Sequence, residues 1–320
     1  MLEVDNLSVR FRGDRGWLPA VEEVSFGLGA RESLGIVGES GSGKSVTALA
    51  ILRLHARSTT AVSGAIRYAG QDVLTLPERE MRRLRGGDIA MVFQDPMSSL
   101  NPVLTIEEQI GETLRLHQGL RGAAARRRAI ELLDLVRIPD AARRIGEYPH
   151  RLSGGMRQRV MIAIAIACQP KLLIADEPTT ALDVTIQAQI LDLLRRLQQE
   201  LGMALILITH DLGIVAEFTS RIVVMYAGRV VEQASAPALF ATPLHPYTAG
   251  LLGSIPPLDR DVHRLAAIPG TIPDPGLRIE GCRFHPRCTE SVATCATEAP
   301  ALVTDATGHA SRCPVRMQGA

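Results

Sequence analysis

The sequence predicts an α/β fold in which buried parallel strands alternate with helices, with antiparallel strands at the N-terminus. Two short apolar runs, 171–176 and 204–208, each end in polar residues, as strands buried on both faces of a parallel sheet do. A third apolar run, Leu34–Val37, leads directly into a glycine-rich loop. The first residues instead alternate between apolar and polar, which is typical of a half-buried strand. Together these observations favour a phosphate-loop core.

The remaining elements follow from apolar spacing and turn residues. Strands are predicted near residues 2–11, 20–27, 34–37, 64–69, 88–93, 171–176, 204–208, 221–226 and 229–233. About 130 residues separate the glycine-rich loop from residue 176, whereas one strand–helix–strand step needs only about thirty. Within that interval, apolar residues recur three and four positions apart between Thr105 and Ile145. The pattern predicts an inserted helical subdomain at about 95–165.

The glycine-rich segment GESGSGKS at 38–45 predicts a phosphate-binding loop. Its glycines allow several backbone N–H groups to point inward at phosphate oxygens. Lys44 then supplies a positive charge for the terminal phosphates and Ser45 a hydroxyl for Mg²⁺, while the following helix adds the positive end of its dipole. A Gly/Ser surface turn is the alternative, but it does not need a lysine and a hydroxyl in register. The predicted nucleotide-binding residues are Gly38, Glu39, Ser40, Gly41, Ser42, Gly43, Lys44, Ser45 and Val46.

Three polar residues at the ends of buried strands complete a predicted hydrolytic site. Asp176 would hold Mg²⁺ through water, and Glu177 would polarise the attacking water. His210, after the run 204–208, would reach the terminal phosphate. Taken alone, Asp176 and Glu177 are more simply solvated residues at a strand end, and His210 is more simply a hydrogen-bonded core histidine. Because the ends of parallel strands meet at one edge of a sheet, the combination with a phosphate loop favours catalysis by Glu177, His210 and Lys44.

The segment LSGGMRQR at 152–159 narrows the prediction further. With it, residues 1–250 or so resemble the ATP-binding cassette (ABC) family. The resemblance implies that Ser153, Gly154 and Gly155 begin a helix facing the ATP of a partner subunit, which agrees with the anion-binding character of a helix start. Met156 departs from the family, which most often has Gln there.

The same resemblance assigns roles to residues that carry weak signals alone. Gln94 in VFQDP corresponds to a glutamine that links Mg²⁺ to the transporter-facing surface, so the implied Mg²⁺ residues are Ser45, Gln94 and Asp176. Asp183 in ALDVT corresponds to a residue that communicates across the dimer. An aromatic side chain normally stacks on adenine. Phe11 is the candidate, with Trp17 as the alternative, and Phe11 is equally well interpreted as a plain half-buried strand residue.

Composition excludes several other classes of function. The formal net charge is +1 and the chain is 46% hydrophobic, so nothing indicates nucleic-acid binding. The longest apolar run, 160–168, is too short to span a bilayer. The sequence begins directly with the alternating strand and shows no apolar leader. We therefore expect a soluble protein that stays inside the cell and reaches the cytoplasmic face of the inner membrane only through its partners.

After about residue 240 the sequence becomes rich in proline, and four of the five cysteines fall at 282, 288, 295 and 313. Such proline density favours an extended segment laid over the domain. TPLHPYTAGLL at 242–252 and CRFHPRC at 282–288 are similar to the C-terminal region of oligopeptide and dipeptide importer ATPases. The predicted domains are therefore an ABC ATPase domain, 1–253, and a C-terminal extension of the peptide-importer type, 254–320.

A reducing compartment disfavours disulfides among the four clustered cysteines, and Cys168, on an apolar run, is most simply a buried small hydrophobe. Four thiolates in a proline-stiffened segment suit zinc or an iron–sulfur cluster. The gaps are wider than those of usual zinc pairs, and relatives of this tail resemble carriers of a [4Fe–4S] cluster. Ligation of such a cluster by Cys282, Cys288, Cys295 and Cys313 is the preferred hypothesis, with zinc or unligated thiols as alternatives.

The resemblance implies the ATP-hydrolysing subunit of an ABC importer for peptides or a related small solute. Its implied partners are a second, distinct ABC ATPase, two permease subunits and an extracytoplasmic solute-binding protein, although an intact loop and signature also permit a homodimer. The alternative is a soluble regulatory or metal-sensing ABC protein that is not coupled to transport. The solute itself is not encoded here, so nickel, glutathione or opine uptake stays open.

Overall fold

The computed structural model describes residues 1–14, 16–180, 182–255, 268–274, 277 and 279–317. The chain divides into two compact units, which are described separately. The first unit contains residues 1–28, 33–74 and 209–320, and the second contains 29–32 and 75–208. Of the prolines noted in the C-terminal segment, those at 256, 257 and 275 lie outside the described residues. The predicted domain boundary after residue 253 stays a prediction.

The strands, in chain order, are β1 (Leu2–Gly13), β2 (Gly16–Leu28), β3 (Ser33–Val37), β4 (Thr60–Tyr68), β5 (Gln71–Asp72), β6 (Ile89–Val92), β7 (Leu172–Asp176), β8 (Ala204–Thr209), β9 (Arg221–Tyr226), β10 (Arg229–Ser235), β11 (Val303–Thr304) and β12 (Ala310–Ser311).

The helices are α1 (Lys44–Ile51), α2 (Glu78–Leu84), α3 (Pro96–Ser99), α4 (Ile106–Gln118), α5 (Gly122–Leu135), α6 (Ala141–Arg144), α7 (Gly154–Ile166), α8 (Val184–Leu201), α9 (Leu212–Phe218), α10 (Ala236–Ala241), α11 (Pro246–Gly253), α12 (Thr294–Thr297) and α13 (Pro314–Met317), with short 3₁₀ turns at Pro149–Arg151 and His285–Arg287. Among the described residues, none of these helices is long and apolar enough to cross a lipid bilayer.

The first unit begins with the antiparallel sheet that the alternating pattern predicts. Its strand order is β2-β1-β4-β5, and every pairing is antiparallel. Leu7 and Val9 of β1 and Val21 and Val24 of β2 are fully buried, because alternate side chains of a strand point to the same face. β1 and β2 are both longer than the predicted strands 2–11 and 20–27, and the two-residue strand β5 was missed.

A second set of strands in this unit supports the phosphate loop. β3 pairs in parallel with β9, β9 pairs with β10 in an antiparallel hairpin turned at Gly228, and β12 and β11 follow beyond β10. The C-terminal segment therefore contributes its own strands to the sheet. Sequence analysis missed both of these, since two residues are too few to show alternation.

The junction between β10 and the C-terminal segment is built on a buried carboxylate. Glu232 is fully buried, and its two oxygens accept hydrogen bonds from the backbone N–H groups of Leu244 and His245 at 2.6 and 3.0 Å. The Nε2 atom of His309 lies 2.7 Å from the same carboxylate. A buried carboxylate is costly unless it is paired and hydrogen-bonded, and here every contact ties a later segment to β10.

The second unit is a three-stranded parallel sheet followed and interrupted by helices. β7 pairs in parallel with both β6 and β8, and all residues of β7 are buried, as the continuous apolar run predicts. Helices α3 to α7 lie in sequence between β6 and β7, within the interval where helices are predicted. α4 begins with a capping box, in which Thr105 and Glu108 satisfy each other's backbone N–H groups.

Candidate functional site

The loop between β3 and α1 has the backbone shape that phosphate binding requires. Gly38 has φ 154°, and a Cβ atom there would lie only 2.2 Å from the carbonyl oxygen of Met225. Gly43, which precedes α1, has φ 100° and is the N-cap of that helix. Larger residues are excluded at both positions, so the glycines that the motif calls for are needed by the fold itself.

Lys44 is held inside this loop. Its side chain is 4% exposed, and Nζ donates to the carbonyl oxygens of Gly38 at 2.7 Å and Glu39 at 3.0 Å. The hydroxyl of Ser42 lies 3.5 Å from the same Nζ. The loop thus curls around the ammonium group and leaves Ser40 and Gly41 exposed at its tip, which is an arrangement suited to receiving phosphate oxygens.

The acidic residues lie in the second unit, at the end of β7. Asp176 is the last residue of the strand and is 4% exposed. Glu177 follows with φ 44°, a conformation that non-glycine residues rarely adopt. Its Oε2 accepts hydrogen bonds from Gln94 Nε2 at 3.0 Å and from Thr180 Oγ1 at 2.9 Å. Both groups orient the carboxylate, and the role of Thr180 was not predicted.

The signature segment begins α7 as its sequence predicts. Ser153 is exposed and caps the helix, with its Oγ accepting a hydrogen bond from the N–H of Met156 at 3.3 Å. Gly155 packs against α8, and a Cβ atom there would lie 2.8 Å from Ile186 Cγ2. The start of a 13-residue helix is therefore presented at the surface of this unit, with donors available to an anion.

Asp183 and His210 also lie at the surface. Asp183 caps α8, and its Oδ1 accepts a hydrogen bond from the N–H of Ile186 at 2.9 Å. His210 immediately follows β8 and is exposed, so it is not a core histidine.

Two aromatic residues compete for the adenine-stacking role, and both belong to the β1–β2 hairpin. Phe11 is half-buried, and its ring packs edge-on against His55 with centroids 5.3 Å apart. Trp17 is 48% exposed and lines a groove of about 760 Å³ that also contains Gly41 and Gly43 of the phosphate loop. Stacking by Phe11 stays a prediction, with Trp17 as its alternative.

The four C-terminal cysteines line one cavity of about 290 Å³ in the first unit. All five cysteines of the chain are free thiols. Burial raises the pKa of the thiols of Cys282, Cys288 and Cys313. Within the part of the chain that the structure describes, no group of three or more Cys, His, Asp or Glu side chains could hold a metal ion. Cys168 belongs to the second unit and is half-buried rather than fully buried.

Comparison with known families settles the class of protein. A family model described as "ABC transporter" matches residues 21–180, and one described as "Oligopeptide/dipeptide transporter, C-terminal region" matches residues 231–295. The chain is 52% identical to the dipeptide transport ATP-binding protein DppD of Escherichia coli (strain K12), over 98% of its own length and 96% of that protein. This chain belongs to the ATP-binding proteins of the oligopeptide/dipeptide ABC transporters.

Other relatives agree along the whole length. The chain is 62% identical to a peptide import ATP-binding protein of Brucella abortus (strain 2308), over 99% of its length and 95% of that protein. It is 50% identical to the oligopeptide transport ATP-binding protein AppD of Bacillus subtilis (strain 168), over 98% and 96%. The predicted family is confirmed, and with it an ABC-type ATPase subunit that energises transport.

The fold is also confirmed as an ABC cassette with an antiparallel N-terminal sheet. The dimeric ATP-binding cassette MJ0796, in a post-hydrolysis state with ADP and Pi, superposes with a TM-score of 0.66 at 29% identity. That comparison covers 74% of this chain and 99% of MJ0796.

Proposed function

We propose that this chain hydrolyses ATP to drive the import of dipeptides or oligopeptides. The observation that carries the proposal is the joint presence of the cassette and the matched C-terminal region in one chain. Relatives aligned over almost their entire length carry names of peptide import, oligopeptide transport or dipeptide transport.

In this proposal the phosphate loop, Gly38 to Val46, cradles the triphosphate and Lys44 neutralises its terminal phosphates. Ser45, Gln94 and Asp176 are the proposed Mg²⁺ residues, since each side chain offers an oxygen atom, the kind of ligand that Mg²⁺ prefers. Glu177 polarises the attacking water, and the hydrogen bonds from Gln94 and Thr180 support this by keeping its carboxylate in one orientation. His210 contacts the terminal phosphate.

The proposed active assembly is a dimer of cassettes. Ser153, Gly154 and Gly155 would face ATP bound by the partner, and Asp183 would communicate between the two sites. The exposure of Ser153 and Asp183 supports these roles, as does the dimeric state of MJ0796. We favour a related but distinct ATPase as the partner, with two permease subunits and an extracytoplasmic solute-binding protein. The chain would then lie at the cytoplasmic face of the inner membrane.

We further propose that Cys282, Cys288, Cys295 and Cys313 ligate one [4Fe–4S] cluster. The proposal is supported by the position of the four thiols, which line one cavity of about 290 Å³, and by the general preference of such clusters for four Cys ligands. The thiols must be deprotonated to bind, and the binding free energy would stabilise a segment with few secondary-structure elements.

Anaerobically purified protein is expected to be brown and to contain about four irons per chain. Replacing any one of the four cysteines by Ser should bleach the colour and make the C-terminal segment more sensitive to protease, whereas Cys168→Ser should do neither. Absorption spectroscopy, iron analysis and limited proteolysis measure these effects. Colourless protein with one zinc would establish the alternative metal, and metal-free protein with an unchanged digest would leave the thiols unligated.

The transport function is tested by purifying the chain with its membrane partners and reconstituting the complex in liposomes. We expect peptides, presented by the solute-binding protein, to stimulate ATP turnover and to accumulate inside the lumen, and Lys44→Ala in this chain to weaken nucleotide binding and abolish both effects. Stimulation by nickel, glutathione or an opine instead would replace the proposed solute. An ATPase rate that is the same with and without the permease, but changes when the metal is lost, would favour the regulatory alternative.

A further inference from the structure

The phosphate loop is held from outside by the C-terminal segment, through the acidic residue Glu39. Arg287 forms a two-pronged ion pair with Glu39, with Nη1 to Oε2 at 2.7 Å and Nη2 to Oε1 at 3.1 Å. The two residues are 248 positions apart in the sequence. The Arg287 side chain is 6% exposed, whereas that of Glu39 is 29% exposed. This pair is the feature of the loop that the motif does not explain.

Several further contacts fix the pair in place. Arg287 Nε donates to the carbonyl oxygen of Pro269 at 2.7 Å, and Nη1 lies 3.4 Å from the hydroxyl of Tyr226. The backbone N–H of Glu39 donates to the hydroxyl of Tyr247 at 2.9 Å. Both tyrosine rings are fully buried, with centroids 4.7 Å apart. Glu39 is therefore held by its backbone and by its side chain, on a rigid aromatic base.

The ion pair between Arg287 and Glu39 neutralises a negative charge inside the phosphate loop. Glu39 is the second residue of a loop that must receive a strongly negative triphosphate, and an unpaired carboxylate there would repel it. A bidentate guanidinium neutralises that charge and also fixes its direction.

The same pair acts on the lysine of the loop. Lys44 Nζ donates to the carbonyl oxygen of Glu39, so the position of that peptide sets the position of the ammonium group. We propose that Arg287 is a positioning residue for ATP binding, which acts through Glu39 to hold the phosphate loop open to phosphate. The C-terminal segment of this chain thereby becomes part of the support of the nucleotide site.

The test compares Arg287→Gln with a matched control in the full chain. Arg316 lies in the same segment and forms an ion pair of the same kind with Glu290, away from the loop. For Arg287→Gln we expect the ATP dissociation constant and the KM for ATP to rise about tenfold or more, because hydrogen bonds between charged groups are lost. At saturating ATP, kcat in the assembled transporter should change little. Arg316→Gln should leave ATP affinity unchanged while lowering the melting temperature.

A structural role alone predicts a different result. If Arg287 only stabilised the fold, Arg287→Gln and Arg316→Gln would both lower the folded fraction, and the ATP affinity of the folded protein would not change. That result would overturn the proposal. Arg287→Lys keeps the positive charge but not the two-pronged geometry of the guanidinium, so its affinity for ATP should lie between those of wild type and Arg287→Gln. If Arg287→Gln does not fold, Arg287→Lys set against Arg316→Lys decides the matter, since only the first should weaken ATP binding.

A double variant shows whether Arg287 acts through Glu39. Combining Arg287→Gln with Glu39→Gln removes the unpaired carboxylate, so the double variant should bind ATP several times more tightly than Arg287→Gln alone. The two substitutions are then non-additive, as expected for residues in direct contact. Equal weakness of the double variant and Arg287→Gln would contradict the charge-neutralising role.

Discussion

Glu177→Gln in this chain is expected to retain ATP binding and to lower ATP turnover at its site by about a hundredfold or more, the loss typical of removing a general base. The amide is nearly the same size as the carboxylate, and its oxygen can still accept the hydrogen bonds that Gln94 and Thr180 donate to Glu177. It cannot accept a proton from water. The substitution therefore removes the proposed chemistry while it preserves the local geometry.

This prediction is measured as single-site ATP hydrolysis in the assembled transporter, together with nucleotide affinity. Asp192→Asn, which removes an exposed carboxylate from the middle of α8, is the matched control and should hydrolyse ATP at the wild-type rate. Near-normal turnover of Glu177→Gln would show that another group polarises the water.

Ser153→Arg is expected to leave the ATP affinity of the isolated chain nearly unchanged and to lower turnover in the assembled transporter by about a hundredfold or more, as when a positioned donor is removed. Ser153 lies at the exposed start of α7, where it caps the helix. The arginine would fill the surface that the proposed dimer closes on. Because the signature is proposed to contact the nucleotide of the partner, the ATP affinity of the isolated chain should not change.

The helix cap provides the control for this experiment. Ser153→Ala removes the hydrogen bond to the N–H of Met156, which costs about 1 kcal/mol of stability, but it adds no bulk. Its effect on turnover should be much smaller than that of Ser153→Arg. Loss of ATP binding in the isolated Ser153→Arg chain would mean that the signature contributes to the site of its own subunit.

The elements that sequence analysis predicted well are those whose cause is local. In β7, β8 and the start of β1, whether each residue is apolar or polar reflects whether that position is buried or exposed. The phosphate loop is equally readable, because its glycines are required by backbone angles within the loop. β11 and β12 were missed because each has only two residues, and their pairing depends on β10, far earlier in the chain.

In the candidate site, too, the residues within local motifs were predicted and those that depend on distant contacts were not. Motif spacing predicted roles for Lys44, Asp176 and Glu177, but no spacing rule joins Arg287 to Glu39 across 248 positions. The only sequence signal was an arginine inside CRFHPRC, where the neighbouring cysteines drew the interpretation toward metal binding. Thr180 was missed for a different reason, since a threonine three residues after Glu177 carries no chemical signature and such residues are common in turns.

The buried carboxylate of Glu232 has a consequence for the order in which this protein is made. His309, which contacts it, leaves the ribosome 77 residues later, and the strand that covers the edge of β10 follows directly after His309. Until then the nascent chain has an uncovered strand edge and an acid without its imidazole partner. Exposed strand edges pair readily with other chains, and unfinished domains are prone to aggregate. The time before residues 309–311 have been translated is therefore a vulnerable interval for this subunit, during which chaperones or early assembly would protect it.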